Sequence, residues 1–314
     1  MMNDSVRIQT STSATATSAE AKKPPTPQTE SVKGFDLNFS QKVQTATLRT
    51  VCRLAPRTAT SVSYFLFRRP RRKKLHYLSQ FPSGAQRFAL PYNKTKLVGY
   101  EWGTGSRTVL LIHGWEGQVG TMLGFVEPLL AAGYRVVALD GPGHGESGQL
   151  TTTVFDYAQA IELVCQHFGG FYGIVAHSFG GAATFFALEQ ANCRQPEKIV
   201  TVAPMTNLMV HVDIFQRLVG MTDDVLDSMM CRLEKDLNIQ RDSWNMLAAA
   251  QKIQGKNLIW HDENDHIISM GDSHKLALHL NHAEIRKTAG LGHKRILKDP
   301  EVAQQTVAFL SQSD

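Results

Sequence analysis

The sequence predicts an α/β fold, a mostly parallel central sheet with helices packed on both of its faces. Three observations carry this expectation. Short, nearly all-apolar runs such as RTVLLIHG (107–114) and YRVVALD (134–140) read as strands buried on both sides. They alternate with stretches of helical period, such as VFDYAQAIELVCQHF from Val154 to Phe168, as parallel strands joined by crossover helices require. The polar residues able to do chemistry fall at the carboxyl ends of those strands, where the loops of such a sheet gather.

Composition divides the chain unevenly. With 314 residues and 42% hydrophobic content there is ample material for a core. Residues 1–80 carry a net charge of +10 and residues 81–314 a net charge of −5. The globular part is therefore mildly acidic, without the basic working face that a nucleic-acid partner demands. Residues 1–33 are rich in Ser, Thr, Ala and Pro and lack an apolar run, so they cannot offset their ordering entropy and read as a disordered tail. They also lack the apolar centre of a signal peptide, which points to a cytoplasmic protein. The four cysteines (Cys52, Cys165, Cys193, Cys231) are widely spaced in helix-like contexts, which suits buried thiols better than disulfides or a metal site.

Residues 34–80 form a short, basic, helical segment in this reading. FSQKVQTATLRTVCRL and TATSVSYFLFRRPRRKK flank Pro56 and look like two helices. Arg49, Arg53 and Arg57 interrupt the apolar positions, which excludes a membrane span. From Arg68 to Lys74 six of seven residues are basic, beside Tyr64, Phe65, Leu66 and Phe67. The preferred reading is a helix packed on the main domain followed by a solvated charged linker. The alternative is a weak membrane-surface contact through this basic segment.

Residues 81–314 are read as the main domain. QRFALPY and KLVGYEWG read as a β-hairpin turning at Asn93. The strand RTVLLIHG and a helix-like TMLGFVEPLLAAG follow, the latter closed by Gly133. Next come YRVVALD, the helix from Val154, the strand YGIVAH, the helix GAATFFALEQA and the strand KIVTVAP. After a long insert, KNLIWH, SHKLALHL, AEIRKTA and PEVAQQTVAFL resume the alternation.

Five segments stand at successive strand ends: HGWEG from His113, DGPGHGES from Asp140, AHSFGG around Ser178, HDENDH from His261, and GLGH ending at His293. In this order they resemble the α/β-hydrolase superfamily over roughly residues 85–311, and most nearly bacterial single-domain serine hydrolases of esterase type whose oxyanion segment reads HGWEG. The chain order Ser, acid, His is the one that superfamily uses.

The residues supply the chemistry such a resemblance implies. A serine hydroxyl attacks only when a base removes its proton. In a strand-turn-helix elbow, Ser178 would be lifted above the sheet, provided the positions two before and two after it are small. Ala176 and Gly180 meet that demand, with one methyl more than the usual glycine at Ala176. His293 is the one histidine of twelve that follows the last predicted strand in a glycine-flanked loop, and histidine supplies a base near neutral pH. His144 and His177 also lie at strand ends. His177 should point away from its neighbour Ser178, and the resemblance makes His144, with His113 and Gly114, shapers of the pocket. Asp265 stands where the resemblance places the orienting acid, with Asp262 as fallback. The backbone amides of Phe179 and Trp115 are the expected oxyanion donors, and Glu116 should turn its side chain away. The run His261, Asp262, Asp265, His266 is read as an extended loop rather than a metal site.

The insert at about 205–252 is too long for a simple crossover, and the resemblance makes it a helical cap over the site. It holds six of the ten methionines, which either face a flexible apolar substrate or fill the cap's own core. The expected function is hydrolysis of a small, apolar carboxylic ester or thioester through an acyl-enzyme, with no cofactor, no metal, no nucleic acid and no obligate protein partner. A serine at the elbow, not an aspartate, argues against dehalogenase or epoxide hydrolase chemistry. Amide, lactone or carbon–carbon hydrolysis on the same triad, or a non-catalytic ligand receptor, are the alternatives.

Overall fold

The computed structural model describes residues 39–72, 76–190, 193–241 and 244–312. The tail at 1–33, and Lys73 and Lys74 of the basic run, lie outside the described residues. Two helices lead, α1 (Phe39–Leu54) and α2 (Pro56–Phe67), followed by β1 (Gln86–Tyr92), β2 (Thr95–Trp102) and β3 (Thr108–Ile112). Then come α3 (Val126–Ala131), β4 (Arg135–Asp140), α4 (Val154–Phe168), β5 (Gly173–His177), α5 (Phe179–Glu189) and β6 (Lys198–Val202). Three helices, α6 (Met209–Val219), α7 (Asp223–Leu237) and α8 (Leu247–Ala250), fill the long insert. The chain closes with β7 (Lys256–Asp262), α9 (Met270–His279), β8 (Ala283–Thr288), α10 (Gly292–Arg295) and α11 (Pro300–Ser311).

The eight strands form one sheet in the order β1-β2-β4-β3-β5-β6-β7-β8. The hairpin β1–β2 and the β2–β4 pair are antiparallel, and every later pair is parallel. Asn93 and Lys94 at the hairpin tip both have positive φ, 43° and 60°, the backbone that a two-residue hairpin turn needs to match strand twist. The pleat sends alternate side chains to opposite faces. Leu110 and Ile112 join the core under α4 and α5, while Val109 and Leu111 join the core on the opposite face with Phe125, Leu129 and Leu310. Both faces are thus dry, which explains why β3, β5 and β6 read as continuous apolar runs.

Local signals explain the helix ends. Thr153 caps α4 through the Asp156 amide, and Asp156 returns the bond to the Thr153 amide. α5 is buried along nearly its whole length, from Phe179 to Leu188, so its sequence is apolar all round. The last predicted loop differs: His293 lies on α10, a single turn of helix, because the residues after Gly292 continue directly into the 3-10 turn Ile296–Lys298.

The basic run is exposed at Arg69, Arg71 and Arg72, and it also makes specific contacts where it is described. The Arg68 guanidinium donates to the Tyr64 hydroxyl (2.6 Å), and that hydroxyl donates to Asp236 Oδ2 of α7 (2.6 Å). Arg71 forks both oxygens of Glu116 (2.7 and 2.9 Å). Arg72 donates to the carbonyls of Gly143, Ser147 and Gln149. Arg71 and Arg72 thus reach a carboxylate and loop carbonyls near the strand ends while remaining exposed. Of the cysteines, Cys52, Cys165 and Cys193 are buried as expected, but Cys231 is exposed on α7; all four are free thiols. Among the described residues no helix is long and apolar enough to cross a membrane.

Candidate active site

Ser178 sits between the end of β5 and the start of α5 with φ 49° and ψ −118°. A non-glycine residue in that region is strained, and strain of this kind persists only where the surroundings hold it. The Ser178 amide donates to the Val202 carbonyl of β6 (2.9 Å) and its own carbonyl accepts from the Gly181 amide (2.9 Å). Its side chain makes no capping bond to the helix it precedes, so it is not an ordinary serine N-cap. Close packing dictates the small neighbours. A Cβ on Gly180 would lie 2.3 Å from the His113 carbonyl oxygen, and one on Gly114 would lie 2.8 Å from the His177 ring. Ala176 is fully buried on β5, paired with Ile112 and Thr201 on either side; its methyl is accommodated.

His293 and Asp265 meet. His293 Nδ1–H donates to Asp265 Oδ2 at 2.7 Å, with both side chains almost removed from solvent. That bond leaves Nε2 of the imidazole as the atom able to take a proton. Burial alone would raise the Asp265 carboxyl, but the hydrogen bond and charge of His293, with the Ile268 and Ile267 amides on Oδ1, outweigh it and hold the group below its ordinary value. Asp262, the fallback acid, is used otherwise. Its Oδ2 accepts from Thr288 Oγ1 and the Leu291 amide, and its Oδ1 from the Asn264 amide. It pins the turn that carries Asp265 to the segment that carries His293.

The His177 ring lies against that of His293 (4.7 Å between centroids), and its Nε2–H donates to the His293 carbonyl (3.0 Å). Burial first, and then the nearby His293, push the His177 imidazole well below its usual range, so it is a neutral donor. It braces α10 from beneath. Ser178 and His293 are not joined by a hydrogen bond among the described residues, a link that in unliganded hydrolases often tightens only with substrate.

The turn after β3 is held by two histidines of fixed tautomer. His113 Nδ1–H donates to the Gly114 carbonyl while its Nε2 accepts from the Gly141 amide. His144 Nδ1–H donates to the Pro142 carbonyl while its Nε2 accepts from the Glu116 amide. Asp140, fully buried at the end of β4, accepts from the Val119 and Glu146 amides. The ends of β3 and β4 are thereby locked together. The Glu116 side chain pairs with Arg71. The Trp115 amide has no acceptor among the described residues, and neither has that of Phe179 at the first turn of α5. Two free N–H groups flanking a serine are what an oxyanion requires.

Above them the Trp115 and Phe179 rings meet edge to face, 5.1 Å between centroids. They open into an apolar cavity of about 30 Å³ whose other walls include Phe67 of α2, His211 of α6, Leu233 of α7 and Trp244. None of the six insert methionines lines it. Five of them, Met205, Met221, Met229, Met230 and Met246, are buried in the core cluster that also holds Leu110, Ile112 and Val164, and Met209 packs against it. Sequence reasoning missed Phe67, His211 and Trp244. The only signal for them is their place in segments predicted to be helical or capping, and no local spacing distinguishes a cavity wall from a core residue. Among the described residues no group of three or more His, Cys, Asp or Glu is arranged to hold a metal ion.

A family model described as the alpha/beta hydrolase family matches residues 109–262. The chain is 37% identical over 116 residues to a serine hydrolase-like protein of Danio rerio, covering 33% of this chain and 34% of that protein. It is 36% identical over 91 residues to the dihydrolipoyllysine-residue acetyltransferase component of the acetoin cleaving system of Pseudomonas putida, covering 26% of this chain and 23% of that one. The chain thus spans about a quarter to a third of the length of these curated relatives. Among solved structures, an esterase of Pyrococcus furiosus is similar with a TM-score of 0.57 at 16% identity, over 77% of this chain and 95% of that one. Est1E of Butyrivibrio proteoclasticus, solved with ferulic acid, is similar with a TM-score of 0.58 at 16% identity, over 71% and 98%. At these identities the likeness is one of fold. With its eight-stranded sheet, helical insert and strand-end segments, the chain belongs to the alpha/beta hydrolase superfamily.

Proposed function

We propose that this protein is a serine hydrolase that cleaves a carboxylic ester or thioester through an acyl-enzyme. The observation that carries the reading is the 2.7 Å bond between His293 Nδ1 and buried Asp265, together with the strained backbone of Ser178 at the start of α5. In this mechanism Ser178 Oγ attacks the acyl carbonyl while His293 Nε2 takes its proton. Asp265 keeps the proton on Nδ1 and stabilises the imidazolium that forms. The Trp115 and Phe179 amides receive the charge on the carbonyl oxygen, aided by the positive end of α5. His293 then returns the proton to the leaving alcohol or thiol, and water attacks the acyl-serine by the same route in reverse. His113, Gly114, His144 and His177 hold this geometry without touching the reacting atoms.

The test is hydrolysis of short p-nitrophenyl esters by the wild type and by Ser178→Ala. A fall in kcat on the order of 10³-fold or more, with unchanged thermal unfolding, is expected. A folded variant of undiminished activity would overturn the reading.

A further inference from the structure

Of the eight large hydrophobic side chains exposed among the described residues, five stand on the two leading helices: Val43, Leu54, Val62, Phe65 and Leu66. Leu54, at the corner between α1 and α2, is 81% exposed, and Val62, Phe65 and Leu66 are 39% exposed each. On α2 the spacing is helical. Ala59, Ser63 and Tyr64 are buried, while Thr58, Val62, Phe65 and Leu66 recur on the opposite side. Arginines flank this apolar stripe. Arg53, Arg57 and Arg69 are exposed, and none of them forms an ion pair among the described residues. Residues 39–72 hold eight Lys or Arg and no Asp or Glu. The acid that α7 brings to α2, Asp236, is taken up by the Tyr64 hydroxyl and by Arg232. Even the threonine hydroxyls turn inward: Thr47, Thr50 and Thr60 donate to the carbonyls of Val43, Ala46 and Pro56 (2.9, 3.0 and 3.0 Å). Those donors ask nothing of the solvent.

We propose that the outward face of α2, with the α1–α2 corner, docks on an anionic lipid surface. Leu54, Val62, Phe65 and Leu66 enter the headgroup boundary, and Arg53, Arg57 and Arg69 meet the lipid charges. The mixture selects this partner. Unpaired arginines without a neighbouring acid attract negative charge, and exposed aliphatic and aromatic side chains among them gain from an acyl boundary, not from a nucleic-acid backbone. The Arg69 guanidinium lies over the Phe65 ring (5.4 Å), so charge and apolar surface are presented together, as a headgroup layer over acyl chains receives them. A second copy seated on the same face by two-fold symmetry would set arginine against arginine. Phe67, which follows Leu66, walls the cavity that Trp115 and Phe179 also line, so the docking helix is part of that cavity's wall. The proposal does not depend on the chemistry at Ser178.

The experiment is flotation of the full chain with vesicles of phosphatidylcholine alone and of phosphatidylcholine with phosphatidylserine at 7:3, at low and high salt. The wild type should partition onto the anionic vesicles, more weakly onto the neutral ones, and less at high salt. Arg53→Gln with Arg57→Gln should weaken the anionic partition by about 30-fold, and Phe65→Ser with Leu66→Ser by about tenfold. Both double variants should keep the thermal unfolding of the wild type and its rate on a soluble p-nitrophenyl ester. Folded wild type that stays off the anionic vesicles overturns the proposal, and so does partition unchanged in both variants. Loss in the arginine variant alone makes the face a general polyanion site and overturns the lipid assignment. A wild-type dimer by light scattering that dissociates in Phe65→Ser with Leu66→Ser puts a second copy on the face and likewise overturns it. The serine hydrolase reading survives each of these results, since it is tested separately at Ser178.

Discussion

At Ser178 the backbone departs from what an isolated chain would choose, and the residues around it show why the departure survives. Gly180 must be glycine because the His113 carbonyl leaves no room for a Cβ. Gly180→Ala is therefore expected to cost about 2–3 kcal/mol of stability and most of the activity, since the displaced carbonyl belongs to the turn that carries Trp115. Denaturant unfolding and an ester assay check both; a variant as stable as the wild type would show that the elbow has slack. Asp265 adds a second expectation. Its carboxyl is lowered in the folded protein despite burial, chiefly by the His293 hydrogen bond. Its contribution to stability is complete above the ordinary carboxylate range and is lost as pH falls through the lowered folded value. Below about pH 4 the wild type should lose stability more steeply than Asp265→Asn, seen in urea titrations across pH; parallel curves would contradict the assignment. The same substitution should lower kcat/KM on the order of 10⁴-fold, as loss of an orienting acid does elsewhere. Ser178 and His293 were legible in the sequence because each stands at a strand end beside glycines, and the turn after β7 was legible as the source of the acid. The choice of Asp265 over Asp262 was not legible from spacing alone, since both lie in one short turn. Only the fold reveals that Asp262 is occupied with Thr288 and the Leu291 amide.

Among the elements, α2 changes most between sequence and structure. Its period predicted a helix, but nothing local told that its last residue, Phe67, would wall a cavity formed by residues up to 177 positions away. Nor did the run of arginines disclose its carbonyl and carboxylate partners, because charge runs in sequence look alike whether solvated or folded back. The link between α2 and the insert runs through the Tyr64 hydroxyl, which joins Arg68 to Asp236. Tyr64→Phe removes both bonds from a buried site and is expected to lower stability by about 1–2 kcal/mol, measured by chemical denaturation. No loss would mean that α2 is held by its apolar contacts alone. At the far end of the sheet, buried Lys198 of β6 donates to the carbonyls of Phe309, Leu310 and Gln312, tying down the end of α11. Lys198→Met strands those carbonyls and should cost about 3 kcal/mol; in the sequence this lysine looked like an ordinary strand start.

For the whole molecule, the sheet was readable because strands buried on both faces leave unmistakable apolar runs, and helices such as α4 announce their ends with Thr153 and Gly169. The insert was readable as helical, but its function-bearing face was not, since Leu233 and Met229 on one helix have the same composition signal and different surroundings. The architecture brings three strand-end loops, one elbow and one cap to a common point, and the account stands on the claim that Ser178 is the nucleophile there. The most direct measurement is reaction of the full chain with a fluorophosphonate, followed by peptide mass spectrometry. The account predicts a single adduct on Ser178, formed in the wild type, strongly slowed in His293→Ala and absent in Ser178→Ala. An unreactive Ser178 in folded protein, or an adduct on another serine, would contradict it.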